Sequence, residues 1–173
     1  MKLTRTLLIA SAAAALLASC GEKNADAGAS TAASVSTDVL SNGMTALETY
    51  ELRHEAMEEI GDAFKSIADA TRSSNPDLAV VRAAADTVAD KAPQVGEWFP
   101  VGSSAASGVD TDALDTIWER PEEFADAVVQ FENAAPKLQA AAQSGDMSAV
   151  GDAFKEVGAS CKNCHETFRA DDD

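Results

Sequence analysis

Two cysteines and a histidine near the C-terminus are the residues of this 173-residue chain best suited to chemistry. Cys161 and Cys164 are separated by two residues, and His165 follows the second cysteine directly. This spacing is typical of c-type haem attachment, in which each thiol adds to one vinyl group of the porphyrin. The neighbouring imidazole is then placed to bind the iron as its proximal ligand. The sequence therefore predicts one covalent haem c.

Other uses of a Cys-x-x-Cys pair predict different surroundings. A structural zinc site takes four ligands, and beyond this motif the chain offers only Cys20 and His54. A thioredoxin-like pair opens a helix within a βαβ unit, whereas a helical pattern precedes the pair here. A disulfide or two idle thiols also fit the spacing. A haem-free thiol-redox or interaction bundle therefore stays open as a distant alternative.

The N-terminus is typical of a bacterial export signal. Lys2 and Arg5 precede an apolar run over residues 6–18, which is too short to span a bilayer as a helix. The segment Leu17-Ala18-Ser19-Cys20 resembles a lipobox, whose cysteine carries lipid in the mature protein. An ordinary signal peptide cleaved near Ser19 is the alternative. We expect a signal peptide over 1–19, a lipid on Cys20 and a location on the periplasmic side of the cell envelope, where c-type haem is attached.

Composition limits the partners. The formal net charge is −16, which disfavours nucleic acid and favours redox proteins with basic patches. Solubility alone would also explain this charge. Residues 20–38 are rich in small and polar side chains, which predicts a flexible tether between the lipid anchor in the membrane and the domain. Residues 171–173 are predicted to form an acidic tail.

Apolar residues recur at three- and four-residue steps over 39–170, and no period-two segment is evident, so the predicted fold is all-α. Four helices are expected to begin near Val39, at Pro76 with Asn75 as cap, at Pro121, and after the cap Asp146. They would form an antiparallel four-helix bundle with the haem near its C-terminal helix. The long connection over 93–119 is expected to lay apolar side chains over a flat group, or else to cap the bundle.

Four short segments carry a family resemblance: 53–57 (Arg-His-Glu-Ala-Met), 99–103 (Phe-Pro-Val-Gly-Ser), 117–118 (Ile-Trp) and 157–169 around the haem motif. Together, and in this order, they resemble the cytochrome c′ family, the class II c-type cytochromes that include cytochrome c-556. Its fold is a four-helix bundle. The resemblance implies thioethers at Cys161 and Cys164 and a proximal ligand at His165. It also implies that Arg53 lies near a haem propionate and that Met57 occupies the distal face of the haem. Arg169 would lie beside the proximal histidine.

The assignment of Arg53 has an alternative in the residues themselves, and its neighbour His54 is a further candidate ligand. Arg53 lies close enough in sequence to pair with Glu48 or Glu55 instead of a propionate. His54 is offset from Met57 on the helix, and we expect it at the surface.

Met57 decides the expected function. If its thioether binds iron, the haem is six-coordinate and suited to transferring single electrons, and the chain is a membrane-tethered electron carrier. This is the main expectation. If Met57 only packs over the distal face, a five-coordinate haem binds nitric oxide or carbon monoxide, which is the alternative. No catalytic constellation is evident, so we do not expect an enzyme. The resemblance further implies a homodimer formed through the first two helices.

Overall fold

The computed structural model describes residues 34–170, so the predicted signal peptide, most of the tether and the acidic tail lie outside the described residues. Four long helices make up this part of the chain: α1 (Ala46–Arg72), α2 (Leu78–Lys91), α4 (Pro121–Ser144) and α5 (Met147–Phe168). A short helix, α3 (Thr116–Glu119), precedes α4. Residues 34–170 form no β-strand, only two isolated β-bridges. The predicted all-α class is confirmed.

The long helices form a closed antiparallel ring. α1 packs against α2, α2 against α4, α4 against α5, and α5 returns to α1. One end of the ring is filled by fully buried aliphatic side chains, namely Ile67, Val81, Leu138 and Val150. Burial of each such side chain stabilises the fold by roughly 1.5–3 kcal/mol. The expected four-helix bundle is therefore present, with a solid core at the end where α4 turns into α5.

The predicted start of the first helix near Val39 is wrong. Thr45 is the N-cap of α1, because its hydroxyl accepts a hydrogen bond from the Glu48 backbone N–H at 3.3 Å. The Glu48 carboxylate accepts one in return from the Thr45 backbone N–H at 2.8 Å. This reciprocal capping box satisfies two backbone donors at the helix start. Val39 instead forms an isolated bridge with Thr45 across a turn.

Of the predicted starts of the later helices, one is wrong and two are confirmed. Asp77, and not Asn75, caps α2, since its carboxylate accepts from the Ala79 N–H at 2.9 Å. Asp146 caps α5 as predicted and accepts from the Ser148 N–H at 2.9 Å. Pro121 is the first residue of α4, also as predicted, at a position where its missing N–H costs nothing.

The long connection between α2 and α4 is fastened to the C-terminal end of α5. It contains 3₁₀ turns at Ala92–Trp98 and Ala105–Ser107 and then α3. The Leu114 N–H donates to the Phe168 carbonyl at 3.0 Å, and the Ala170 N–H donates to the Asp112 carbonyl at 2.8 Å. We call residues 110–114 the strap, because they join the connection to the helix that carries the Cys-x-x-Cys-His motif.

The first described residues lie along the same connection. The Ser36 N–H donates to the Ser107 carbonyl at 2.8 Å. Gly108 has φ +89°, and a Cβ at this position would lie 3.0 Å from the Val35 Cα, so only glycine fits. The last residues of the predicted tether therefore contact the folded domain. Among residues 34–170, no helix combines the length and apolar character needed to cross a bilayer.

Candidate haem site

A cavity of about 580 Å³ lies between α1, α4, α5 and the strap. Its volume is within the range of about 300–1,000 Å³ that small-molecule sites occupy. Aliphatic and aromatic side chains make up most of its wall, among them Ile60, Phe64, Ile117, Phe124, Phe131 and Phe168. Charged side chains also line it, among them Arg53, Glu58, Asp110 and Asp112. An apolar chamber with some charged groups suits a flat macrocycle that carries carboxylates on one edge.

The Cys-x-x-Cys-His motif lies in the last turns of α5 and lines this cavity. Cys161 and Cys164 are half-buried and pack against the core. Burial raises the pKa of Cys161, and burial together with the neighbouring Cys161 thiol raises the pKa of Cys164 to about 11. Both thiols are therefore neutral near pH 7. Addition to a vinyl group leaves a neutral thioether, so covalent attachment places no charge in this apolar wall.

Arg53 is a buried cation that forms no ion pair with any carboxylate of the described residues. It is 5% exposed, and none of the carboxylates in residues 34–170 forms an ion pair with it. Pairing with Glu48 or Glu55 does not occur, since the Glu48 carboxylate bonds to Thr45. Burial lowers the pKa of Arg53. A buried charge that lacks a counter-ion is costly, so an anionic group entering the cavity would find a partner here. The residues fit haem, whose propionates are anionic.

Neutral groups of the connection hold the Arg53 guanidinium. Nη1 donates to the Trp98 carbonyl at 3.3 Å and to the Ser103 hydroxyl at 3.4 Å. Nη2 donates to the Ser103 carbonyl at 3.4 Å and to the Thr111 hydroxyl at 2.9 Å. The guanidinium also lies 4.8 Å from the centroid of the Phe99 ring. α1 is thus linked through one side chain to three residues of the connection that are spread over 98–111.

Aromatic contacts continue from the connection to α5. The Phe99 ring meets Phe124 edge to face at 4.9 Å between centroids, and Phe124 meets Phe168 in the same way at 5.3 Å. The Trp118 indole N–H donates to the carbonyls of Phe99 and Pro100 at 3.1 and 3.2 Å. The connection therefore builds one wall of the cavity, and its role of covering a flat group stays a prediction.

A close approach of α1 and α5 bounds the cavity towards the solid core. Phe64 and Phe154 stack with centroids 4.0 Å apart and rings 14° from parallel. A Cβ on Gly158 would lie 3.2 Å from the Phe64 ring, which is tighter than ordinary packing. Gly158 belongs to the segment that resembles the family's haem motif, and its lack of a side chain lets the two helices meet here.

The candidate distal residue lies on a different helix from the Cys-x-x-Cys-His motif. Met57 of α1 is partly buried and His165 of α5 is exposed, and both line the cavity. The two candidate iron ligands therefore come from different helices. His54 is exposed, as expected, and its Nε2 lies 3.6 Å from Glu58 Oε1. Arg169 also lines the cavity, and its backbone N–H donates to the His165 carbonyl at 3.1 Å.

Sequence reasoning missed Ser103 and Thr111 as partners of Arg53. Ser103 stands in the Phe-Pro-Val-Gly-Ser segment, so its position was marked but its contact was not. Thr111 carries no local signal, because its bond with Arg53 joins residues 58 positions apart. Such a pairing becomes visible only when the bundle brings α1 and the connection together.

A family model described as Cytochrome C′ matches residues 48–169, which include most of α1, the connection and the haem motif. The chain belongs to the cytochrome c′ family. Members of this family bind a single covalent haem c, so the chain is a haem c protein. The resemblance found in the four short segments is confirmed.

Curated relatives agree with the family assignment. A cytochrome c-554 from Cereibacter sphaeroides is 43% identical over 76 residues, which cover 44% of this chain and 56% of the relative. The chain thus spans about half the length of the cytochromes c-554 it matches. A cytochrome c′ from Pararhodospirillum photometricum is 31% identical over 119 residues, which cover 69% of this chain and 94% of the relative.

Solved structures of cytochromes c′ share the fold. One is a cytochrome c′ that shows an unusual ligand-controlled dimer dissociation. It superposes with a TM-score of 0.70 at 30% identity, and the match covers 75% of this chain and 99% of the cytochrome c′. A nitric oxide complex of a mutant cytochrome c′ from Alcaligenes xylosoxidans superposes with a TM-score of 0.66 at 26% identity, covering 73% and 97%. The predicted four-helix bundle is confirmed, and homologues can form dimers.

Proposed function

We propose that Cys161 and Cys164 hold the haem of this cytochrome c′ family member, with His165 as the iron ligand on α5. Arg53 faces a propionate, and Arg169 lies beside the proximal histidine. The observation that carries this assignment is the cavity itself. It brings together the attachment motif, an apolar wall and a buried guanidinium that pairs with no carboxylate of residues 34–170.

We propose further that the site binds nitric oxide or carbon monoxide. When bound, haem c supplies an iron atom that can take a diatomic ligand. Among the α1 residues that line the cavity, Met57, Ile60 and Phe64 present a thioether, an alkyl group and a phenyl ring. These three groups give no hydrogen bond to an anion, so an iron atom beside them would favour a small neutral ligand. A nitric oxide complex of a similar cytochrome c′ supports the same proposal.

Electron transfer by a membrane-tethered protein is the second candidate function. It is favoured by Met57, which lines the cavity from the helix that faces α5 and carries a sulfur able to bind iron. Histidine and methionine together raise the haem potential and suit single-electron exchange. Partners would then be redox proteins with basic surfaces, given the net charge of −16.

Absorption spectra of the purified haem protein separate the two functions. Spectra of the ferric and ferrous forms are recorded with and without carbon monoxide and nitric oxide, for the native chain and for Met57→Ala. Met147→Ala is the matched control, because Met147 packs on the core at the start of α5, away from the cavity.

Gas binding predicts a five-coordinate ferrous spectrum and one carbon monoxide per haem in the native chain. Met57→Ala would then change the affinity for the gas and leave the spin state as it is. A native protein that is low-spin and refuses both gases, and that becomes high-spin only in Met57→Ala, would refute gas binding and support electron transfer. Met147→Ala should match the native spectra in either case.

We also propose that the protein is exported and lipid-anchored through Cys20 on the periplasmic side of the cell envelope. The lipobox-like segment 17–20 supports this proposal. The haem motif supports it as well, because c-type haem is attached on the periplasmic side of the membrane. Incorporation of a labelled fatty acid by the native chain, and its loss in Cys20→Ser, is the expected result. A native chain without label that stays in the aqueous fraction would contradict the anchor.

We propose a homodimer formed through α1 and α2. Leu47, Leu52 and Val80 on these helices are 43%, 39% and 48% exposed, which provides apolar surface for a second copy. The dimeric homologue described above supports the proposal. Sedimentation of the haem protein should give a dimer that Leu52→Glu weakens, and a monomer at all concentrations would contradict it.

A further inference from the structure

The guanidinium of Arg53 is oriented before any ligand arrives. Its two terminal nitrogens make four hydrogen bonds, all to oxygens of the connection. Nε makes none with the described residues. Arg53 also lines the cavity, so its charge is held at the wall. The shortest of the four bonds, at 2.9 Å, goes to the Thr111 hydroxyl in the strap.

Each of the two hydroxyls is itself held in place. The Ser103 hydroxyl donates to the Pro100 carbonyl at 2.8 Å, which leaves its lone pairs for Arg53. The Thr111 hydroxyl also accepts from the Ala113 backbone N–H at 3.2 Å. The strap in turn is joined to the end of α5 through Phe168 and Ala170. The position of the guanidinium is therefore tied to the helix that carries the haem motif.

We propose that Thr111 and Ser103 are positioning residues, which fix the Arg53 guanidinium at the cavity wall so that its charge compensates a haem propionate. This rests on the proposed haem site. A cation held next to the propionate offsets negative charge near the iron and favours the ferrous state. A guanidinium that is free to turn away offsets less of it, because it must lose conformational freedom each time it meets the propionate.

The test is the midpoint potential of the purified haem protein, with Thr111→Val as the main variant. Valine keeps the shape of threonine and removes the closer of the two acceptors of Nη2. We expect the potential to fall, with the ferrous-to-ferric ratio at fixed ambient potential reduced roughly two- to fivefold, or about 20–40 mV at 59 mV per tenfold change. Thr111→Ser keeps the hydroxyl and should restore the native potential.

Thr116→Val is the matched control. The Thr116 hydroxyl donates to the Thr167 carbonyl at 3.0 Å and so fastens the connection to α5 without touching Arg53. Its removal should leave the potential unchanged. An equal fall in Thr116→Val and Thr111→Val would show general loosening and overturn the proposal, as would an unchanged or raised potential in Thr111→Val.

Haem content separates failure of this inference from failure of the haem site. A native chain without covalent haem, measured by the pyridine haemochrome, would refute the site itself. A native chain with haem and a Thr111→Val potential equal to native would refute only the positioning role. If Thr111→Val does not accumulate, Ser103→Ala serves in its place, with a smaller expected fall because its bond to Arg53 is longer, at 3.4 Å.

Discussion

The two ends of the bundle are built on different principles. At the end where α4 turns into α5, side chains alone fill the interior, and Ile67, Leu138 and Val150 are fully buried. At the other end the same helices enclose about 580 Å³, lined by phenyl rings that meet edge to face. We call these the solid end and the cavity end. The difference indicates that the solid end holds the fold together, whereas the cavity end depends on the haem for its core.

Helix α4 contributes to both ends on a single face. Phe131 and Leu138 lie two turns apart, and both are buried. Phe131 lines the cavity, whereas Leu138 packs among side chains only. One continuous apolar face of α4 thus lines the cavity at the cavity end and packs against other side chains at the solid end.

The largest expected effect comes from removing the attachment chemistry in the double variant Cys161→Ala/Cys164→Ala. We expect complete loss of haem that survives denaturation, because no thioether can form. Hydrogen exchange should then speed up in the cavity-end half of α1 while the solid end stays protected. Covalent haem in the double variant would contradict the assigned attachment, and equal loss of protection at both ends would contradict the division into two ends.

A smaller effect is expected from Leu138→Ala in the solid end. Truncation of a buried leucine to alanine costs about 2–5 kcal/mol of unfolding free energy, measured in urea, and should leave the haem absorption spectrum as it is. Phe131→Ala on the same face is the matched variant and should alter the spectrum, since its ring lines the cavity. A changed spectrum in Leu138→Ala together with a native spectrum in Phe131→Ala would contradict the assignment of Phe131 to the cavity end and of Leu138 to the solid end.

The sequence was sufficient where the signal was local. The spacing of Cys161, Cys164 and His165 predicted the cavity wall on α5, and the cap Asp146 was identified from the chain break before it. The start of α1 was missed although Thr45 and Glu48 have capping-box spacing, since apolar residues from Val39 onward suggested a longer helix.

The partners of Arg53 could not be predicted in the same way. The local candidates Glu48 and Glu55 proved wrong as partners, and the observed ones are 45 to 58 positions away. Only packing of the connection against α1 selects them. Residues that line the cavity could therefore be named from the sequence, whereas the hydrogen bonds that orient Arg53 depend on long-range folding.

The smallest effect that sharpens the comparison is loss of a helix cap at the solid end. The Asp146 carboxylate accepts from the backbone N–H groups of Ser148 and Ala149 at 2.9 and 3.3 Å. Its replacement in Asp146→Ala should cost about 1 kcal/mol of unfolding free energy, seen as a lower urea midpoint with an unchanged slope. Asp146→Asn retains an acceptor oxygen and should recover most of the loss.

The midpoint potential should stay native in both variants, because α5 is anchored at the cavity end by the strap and the stacked Phe64 and Phe154 rings. A shifted potential in Asp146→Ala would mean that the two ends of α5 are coupled, and the solid end would then take part in setting the haem environment.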